Sequence, residues 1–153
     1  MRSYYQSPIG LIRIESSENG LSSLVFIDDA EMEPQENEME PLWRVQLNEY
    51  FQKKRKIFDL PIDLKGTEFQ KKVWNELLKI PFGKTISYKE LSLKLGDIKA
   101  IRAVAAANGA NPVSIIVPCH RVIGSDGSLT GYAGGLWRKK WLLEHESSAL
   151  RLL

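Results

Sequence analysis

The sequence predicts an α/β protein, more narrowly α+β, built in two parts. A small N-terminal β-sheet-plus-helix domain is expected over residues 1–62. A mainly helical C-terminal domain with a helix-turn-helix is expected over 63–153. Three observations carry this reading. Two β-prone runs flank an Asn-Gly pair near the start, two capping-box patterns open helices in the second half, and an acidic, proline-bounded stretch separates the sheet signals from the helix signals.

Ile9, Leu11, Ile12 and Ile14 form the first run and Leu21, Leu24, Val25 and Ile27 the second, with Glu18-Asn19-Gly20 between them as a hairpin turn. Residues 28–40, with Pro34 and then Pro41, read as a loop. A helix over about Leu42 to Lys53 follows, with Trp43, Leu47, Tyr50 and Phe51 on one side, and Lys56 to Leu64 reads as a connector. Thr67-Glu68-Phe69-Gln70 is a capping box that opens a helix bearing Phe69, Val73, Trp74, Leu77 and Leu78, stopped by Pro81 and Gly83. Ser87-Tyr88-Lys89-Glu90 repeats the pattern for a short helix with Leu91 and Leu95 inward and Gly96 as its stop. Ala100 to Ala107 is strongly helix-forming and ends at Asn108-Gly109, so it completes a helix-turn-helix pair. Apart from Arg102 its residues are small or apolar, which lets a helix backbone approach a surface closely. After the turn at Asn111-Pro112, Ile115-Ile116-Val117 reads as a short buried strand leading to Cys119. Glycine-rich loops and a terminal helix from about Leu136 complete the chain.

Composition narrows the function. With 153 residues, 43% hydrophobic and 26% charged, the chain can bury a sizeable core. The N-terminus turns polar before an apolar signal run develops, and nothing approaches the roughly 18 apolar residues of a membrane span. A cytoplasmic location is expected, or a nuclear one in a cell with a nucleus. One Cys and two His (His120, His145) cannot make an internal disulfide or, without carboxylates, the usual zinc ligand set, so no metal and a reducing compartment are expected. Net charge is only +2, but residues 28–40 carry acids and no base, whereas 65–102 is basic, so one part of the chain suits an anionic partner.

A thiol is a good nucleophile at neutral pH only when a base or a positive charge favours the thiolate. Cys119 is followed directly by His120 and Arg121, but neighbours on an extended strand point to opposite faces, so their cooperation requires a turn or a bridging water. The longer string Asn-Pro-Val-Ser-Ile-Ile-Val-Pro-Cys-His-Arg-Val, residues 111–122, resembles the active-site signature of the O6-alkylguanine-DNA alkyltransferases, the methylated-DNA–protein-cysteine methyltransferases. The resemblance extends upstream through Tyr88-Lys89-Glu90-Leu91 and Arg102-Ala103-Val104. Downstream it continues through Gly131-Tyr132-Ala133-Gly134-Gly135 and Leu142-Leu143-Glu144-His145-Glu146, and it covers roughly residues 66–146. The first 60 or so residues fit that family by length and by their hairpin-plus-helix pattern.

What the resemblance implies is specific. Cys119 would attack the alkyl carbon on guanine O6, with O4-alkylthymine left open as a second substrate. His120 would take the thiol proton through a water, and Glu146 would orient and charge-stabilise His120. Tyr88 would protonate or hydrogen-bond the departing guanine, and Asn111 would position Cys119 and Tyr88. The base must leave the duplex stack to react. Arg102 would fill the space it vacates, while Ala100, Ala103 and Ala105 admit the second helix to the minor groove. Val122, Tyr132, Ala133 and Gly134 would wall the base pocket. Many members carry Gly at the position of Ala105 and Ser at that of Ala133, and the zinc ligands that some carry near the N-terminus are absent here. A thioether has no obvious route back, so the implied protein works once per molecule, as a monomer on double-stranded DNA, without a cofactor and away from membranes.

Two other classes compete. A non-catalytic DNA-binding module needs only the helix-turn-helix, but it has no use for Cys119, His120 and a distant Glu, and its second helix would be rich in polar base-reading residues. A cysteine hydrolase would need oxyanion donors, for which nothing outside this loop argues.

Overall fold

The computed structural model describes residues 1–33 and 41–147, and the chain divides into two compact units, Met1–Lys65 and Gly66 onward. Most of the acidic loop expected over 28–40 therefore lies outside the described residues. Its described start makes a short 3-10 turn, Asp29–Glu31.

The first unit is a three-stranded antiparallel sheet, β1 (Arg2–Ser7), β2 (Gly10–Ser17) and β3 (Gly20–Phe26), in the order β1-β2-β3, with one helix, α1 (Pro41–Phe51). Strand β1 was not expected. Arg2–Ser7 is mostly polar, and it is held by pairing along its whole length with β2, from Arg2 opposite Glu15 to Ser7 opposite Gly10. The hairpin at Glu18-Asn19 closes with Ser17 opposite Gly20. Gly20 has φ +137°, and a Cβ there would lie 2.5 Å from the Pro61 carbonyl oxygen, so both backbone conformation and close approach require glycine. That approach exists because the expected connector is partly strand-like. Ile62 bridges Leu21 in parallel, with the Leu21 amide 3.0 Å from Pro61 O and the Asp63 amide 2.7 Å from Leu21 O. Helix α1 begins at Pro41 and ends two residues before Lys53, which takes φ +62°. Ile12, Ile14 and Leu24 of the sheet and Trp43, Leu47 and Tyr50 of α1 are buried, and the Tyr5 hydroxyl donates to Asn48 at 2.6 Å.

The second unit is mainly helical. Helix α2 (Glu68–Leu77) opens on the predicted capping box: Thr67 accepts from the Gln70 amide and Gln70 reaches back to the Thr67 amide. Val73, Trp74 and Leu77 are buried, whereas Phe69 and Leu78, expected on the same face, are exposed. Ser87 and Glu90 cap α3 (Tyr88–Lys94) in the same way. Leu91 is buried and Leu95 only half-buried, and Gly96 ends the helix at φ +90°. A 3-10 turn, Ile98–Ala100, leads into α4 (Ile101–Gly109), which packs on α2 and α3 and completes the helix-turn-helix pair. The Trp74 indole N–H donates to the Ala107 carbonyl at 2.8 Å, which anchors α4 on α2.

The expected strand at Ile115–Val117 is instead a turn. Ile115 takes φ +70°, a conformation that β-branched residues rarely adopt, and no strand can pass through it. Asn111 holds the turn: its Oδ1 accepts from the Val113 amide at 3.0 Å and its Nδ2 donates to Val117 O at 2.8 Å. Beyond Cys119–Arg121, a 3-10 turn, strand β5 (Val122–Ile123) pairs in parallel with β4 (Ile86–Ser87). The last element is α5 (Leu136–Glu146).

Candidate active site

The two-residue pairing of β4 with β5 is small but decisive for the site. Ser87 pairs with Ile123, so Tyr88, the first residue of α3, begins where the Cys119–Arg121 turn ends. The 3-10 turn supplies what an extended strand could not, because it gathers Cys119, His120 and Arg121 into one buried bend. Its backbone is closed by the Cys119 amide on Val117 O at 2.8 Å and the Arg121 amide on Pro118 O at 3.0 Å.

His120 is fully buried, and its Nε2 lies 2.8 Å from Glu146 Oε2. An ionised carboxylate only accepts, so Nε2 carries the ring hydrogen and donates it, and Nδ1 presents its lone pair. Nδ1 has no protein partner among the described residues. Burial lowers the His120 pKa below its ordinary value against the opposing pull of Glu146, which keeps the ring neutral and able to take a proton. Glu146 ends α5 and is buried rather than a surface carboxylate. Burial works against its charge, but His120 and Arg121 outweigh that and hold the carboxyl well below the usual carboxylate range.

Arg121 was not expected in the site. Its Nε donates to Glu146 Oε1 at 2.8 Å, its Nη2 to Oε2 at 3.0 Å and its Nη1 to Ile80 O at 2.7 Å. This two-point clamp neutralises Glu146 while fixing the orientation of the oxygen that faces His120. The residue was visible in the string Cys-His-Arg, but its partner is 25 positions away and no local pattern names it.

Burial raises the Cys119 thiol above its ordinary pKa, while the Asn111 side chain and the Lys139 charge pull the other way. The resting group is therefore a thiol. The Tyr88 hydroxyl donates to Thr130 O at 3.0 Å, and burial raises its pKa too. Val122 is buried, Tyr132 and Gly134 are half-buried, and Ala133 is exposed. Asn108, also unexpected, is buried at the end of α4, with its Nδ2 3.4 Å from the Cys119 carbonyl oxygen. Lys139 is buried, and its Nζ donates to Thr130 O at 2.9 Å.

On the outer side of α4, Arg102, Ala103 and Ala106 are exposed, Ala100 and Ala105 are half-exposed, and Val104 and Ala107 are buried. A cleft of about 400 Å³ beside this helix is lined by Tyr88, Ile101, Arg102, Ala105, Thr130 and Gly131. Among the described residues no cluster of His, Cys, Asp and Glu could hold a metal ion, and no helix is long and apolar enough to cross a membrane.

Fold and site together define a helix-turn-helix protein that carries a buried cysteine beside a His-carboxylate pair. The model of the 6-O-methylguanine DNA methyltransferase DNA binding domain matches residues 68–148, and that of the ribonuclease-like domain of the same proteins matches residues 1–64. The chain belongs to the 6-O-methylguanine DNA methyltransferase family. It is 46% identical over 152 residues to a methylated-DNA–protein-cysteine methyltransferase of Methanosarcina barkeri, a match that covers 95% of this chain and 96% of that one. The crystal structure of the Mycobacterium tuberculosis O6-methylguanine methyltransferase matches with a TM-score of 0.85 at 42% identity, covering 97% of this chain and 94% of that one. The crystal structure of Mycobacterium tuberculosis OGT in complex with DNA matches with a TM-score of 0.82 at 41% identity, covering 97% and 96%.

Proposed function

We propose that this protein repairs DNA by moving the alkyl group of O6-alkylguanine onto Cys119 Sγ, one group per molecule. The observation that carries the reading is the orientation of His120: Glu146 holds Nε2–H, so the basic Nδ1 is left for the thiol proton. The family membership and the DNA complex of a relative at 41% identity support DNA as the partner.

Each of these groups has a part in the proposed chemistry. His120 takes the Cys119 proton through a water, and the sulfur attacks the alkyl carbon. The S–C bond forms as the C–O6 bond breaks, and the electron pair of that bond stays on guanine. Tyr88 hydrogen-bonds and protonates the ring so that a neutral base leaves, and the proton held on His120 balances the one Tyr88 gives up. Glu146, clamped by Arg121, stabilises the imidazolium while it lasts. Asn111 holds the turn that presents Cys119.

A stacked base cannot reach a buried thiol, so the nucleotide is rotated out of the duplex. Arg102, exposed beside the cleft that Tyr88 also lines, fills the vacated space. The small residues Ala100, Ala103 and Ala105 let α4 into the minor groove, where sequence is read poorly, as suits repair at any site. Val122, Tyr132, Ala133 and Gly134 receive the base. The protein acts as a monomer on double-stranded DNA, in the cytoplasm or, in a cell with a nucleus, in the nucleus.

The test is to incubate the protein with excess duplex carrying one O6-methylguanine and weigh the intact chain, beside a Cys119→Ser control. A gain of one methylene on Cys119, saturating at one equivalent and absent from the control, is expected. Lesion DNA bound with no change in mass would make the chain a lesion-binding module instead.

A further inference from the structure

Asn108 stands at the inner end of α4 with only one end of its side-chain amide engaged. Its relative exposure is 3%, and its Nδ2 lies 3.4 Å from the Cys119 carbonyl oxygen. Its Oδ1 is closed to solvent and meets no donor among the described residues. Asn111, the other buried amide of the site, has both ends engaged, Oδ1 by the Val113 amide and Nδ2 by Val117 O. The Tyr88 hydroxyl does not satisfy the orphan either, because its one proton goes to Thr130 O at 3.0 Å. A buried acceptor without a donor destabilises a fold, and an apolar side chain of the same shape would remove that cost.

What this oxygen can meet follows from where Asn108 stands. Ile101, Ala105 and Asn108 occupy positions i, i+4 and i+7 of α4 and so share one stripe of the helix. The first two line the cleft of about 400 Å³ that Tyr88 also lines, so the stripe runs from that cleft inward to the Cys119 carbonyl. Burial raises the Tyr88 pKa while Thr130 and the Asn108 side chain oppose it, which sets Asn108 beside the hydroxyl as well. A base held between Tyr88 and Cys119 therefore lies against Asn108. An alkyl group on O6 leaves N1 of guanine without a proton, so the exocyclic 2-amino group is the one hydrogen-bond donor on the edge of the lesion.

We infer that Asn108 is a specificity-determining residue of the base pocket, whose Oδ1 accepts from the 2-amino group of O6-alkylguanine. The inference rests on the proposed alkyl transfer and names the part of the base that the site reads. O4-alkylthymine carries no such donor, so Asn108 favours the purine lesion.

Removing the amino group from the substrate and the acceptor from the protein isolates this one contact. Wild type and full-length Asn108→Leu, which keeps the shape and removes both polar ends, are each mixed with duplex carrying one of two lesions. One is O6-methylguanine and the other O6-methylhypoxanthine, the same base without the amino group. The rate constant and the equivalents of methyl taken up by Cys119 are followed by intact mass. Wild type is expected to prefer the guanine lesion, and Asn108→Leu to react with it about tenfold more slowly, the worth of one hydrogen bond. On O6-methylhypoxanthine the two proteins should agree within about twofold, because neither makes the bond there. A merely structural loss slows both lesions equally, and that result, or an unchanged preference, overturns the inference. Asn108→Met supplies the same comparison if the Leu variant does not fold. A wild-type chain that takes up methyl at equal rates from both lesions overturns this inference alone. One that takes up no methyl group from either overturns the parent reading and this one with it.

Discussion

His120 Nε2 lies 2.8 Å from Glu146 Oε2, a contact between a 3-10 turn and the last residue of a helix 26 positions away, with both side chains closed to solvent. The same carboxylate accepts two bonds from Arg121, so one acid sets the tautomer of the imidazole and neutralises its cationic neighbour. Much of the behaviour expected of this protein follows from that shared carboxylate.

Glu146→Gln should weaken both fold and reaction. The buried Arg121 guanidinium loses its counter-ion, which costs about 3–5 kcal/mol, and the imidazolium loses its stabilising charge. Alkylation of Cys119 should slow by about 100- to 10,000-fold. Urea unfolding and single-turnover kinetics would measure the two effects, and a variant with wild-type stability would contradict the buried clamp.

Glu146 also predicts the acid behaviour of the fold. Its pKa is lowered on folding, so its contribution is fully present above the ordinary carboxylate range and is lost as pH falls through the depressed folded value. The acid unfolding of wild type should lose part of its steepness in Glu146→Gln, as read by unfolding midpoints at stepped pH below about 5.

The reaction should have an acid limb set by His120. Its folded pKa is lowered by burial, so the neutral base persists below the ordinary value of about 6.5, and the rate should fall only as pH drops further. The associated stability runs the same way, being present above about 6.5 and lost as pH falls through the lowered folded value. Single-turnover rates from pH 5 to 8 test this, and an acid limb centred at or above 6.5 would show that burial does not lower the His120 pKa.

Arg102→Ala should separate access from chemistry. The side chain is exposed on α4, so stability should move by no more than about 0.5 kcal/mol. Repair of duplex DNA should slow, while reaction with free O6-methylguanine base should be unchanged. Equal losses on both substrates would place Arg102 in the chemical step instead.

Trp74→Ala should loosen the helix-turn-helix from its support. The side chain is buried, and its indole N–H holds the Ala107 carbonyl at 2.8 Å, so a loss of about 3–5 kcal/mol is expected from the cavity and the missing bond together. Thermal unfolding measures it, and a change below about 1 kcal/mol would mean that α4 is held by other contacts.

The sequence by itself determined the elements whose stabilising groups sit within four residues of each other. The capping boxes at Thr67/Gln70 and Ser87/Glu90 are local hydrogen bonds, and both helices start where those residues stand. Gly96 stops α3 for an equally local reason, and the motif around Cys119 marked Cys119 and His120 as candidate site residues before any distance was known.

Tertiary structure decided what depends on distant partners. Strand β1 exists because β2 pairs with it, which a mostly polar hexapeptide does not announce. The apolar run at Ile115–Val117 suits a buried strand as well as a buried turn, and only the bonds from Asn111 and the positive φ of Ile115 select the turn. Arg121 and Lys139 are both buried, which nothing in the sequence announces. A charge leaves water only where other groups replace its solvent, and here Glu146 does so for Arg121 and the Thr130 and Gly131 carbonyls for Lys139. Those partners are brought into place by the fold, so no local pattern in the chain could reveal them.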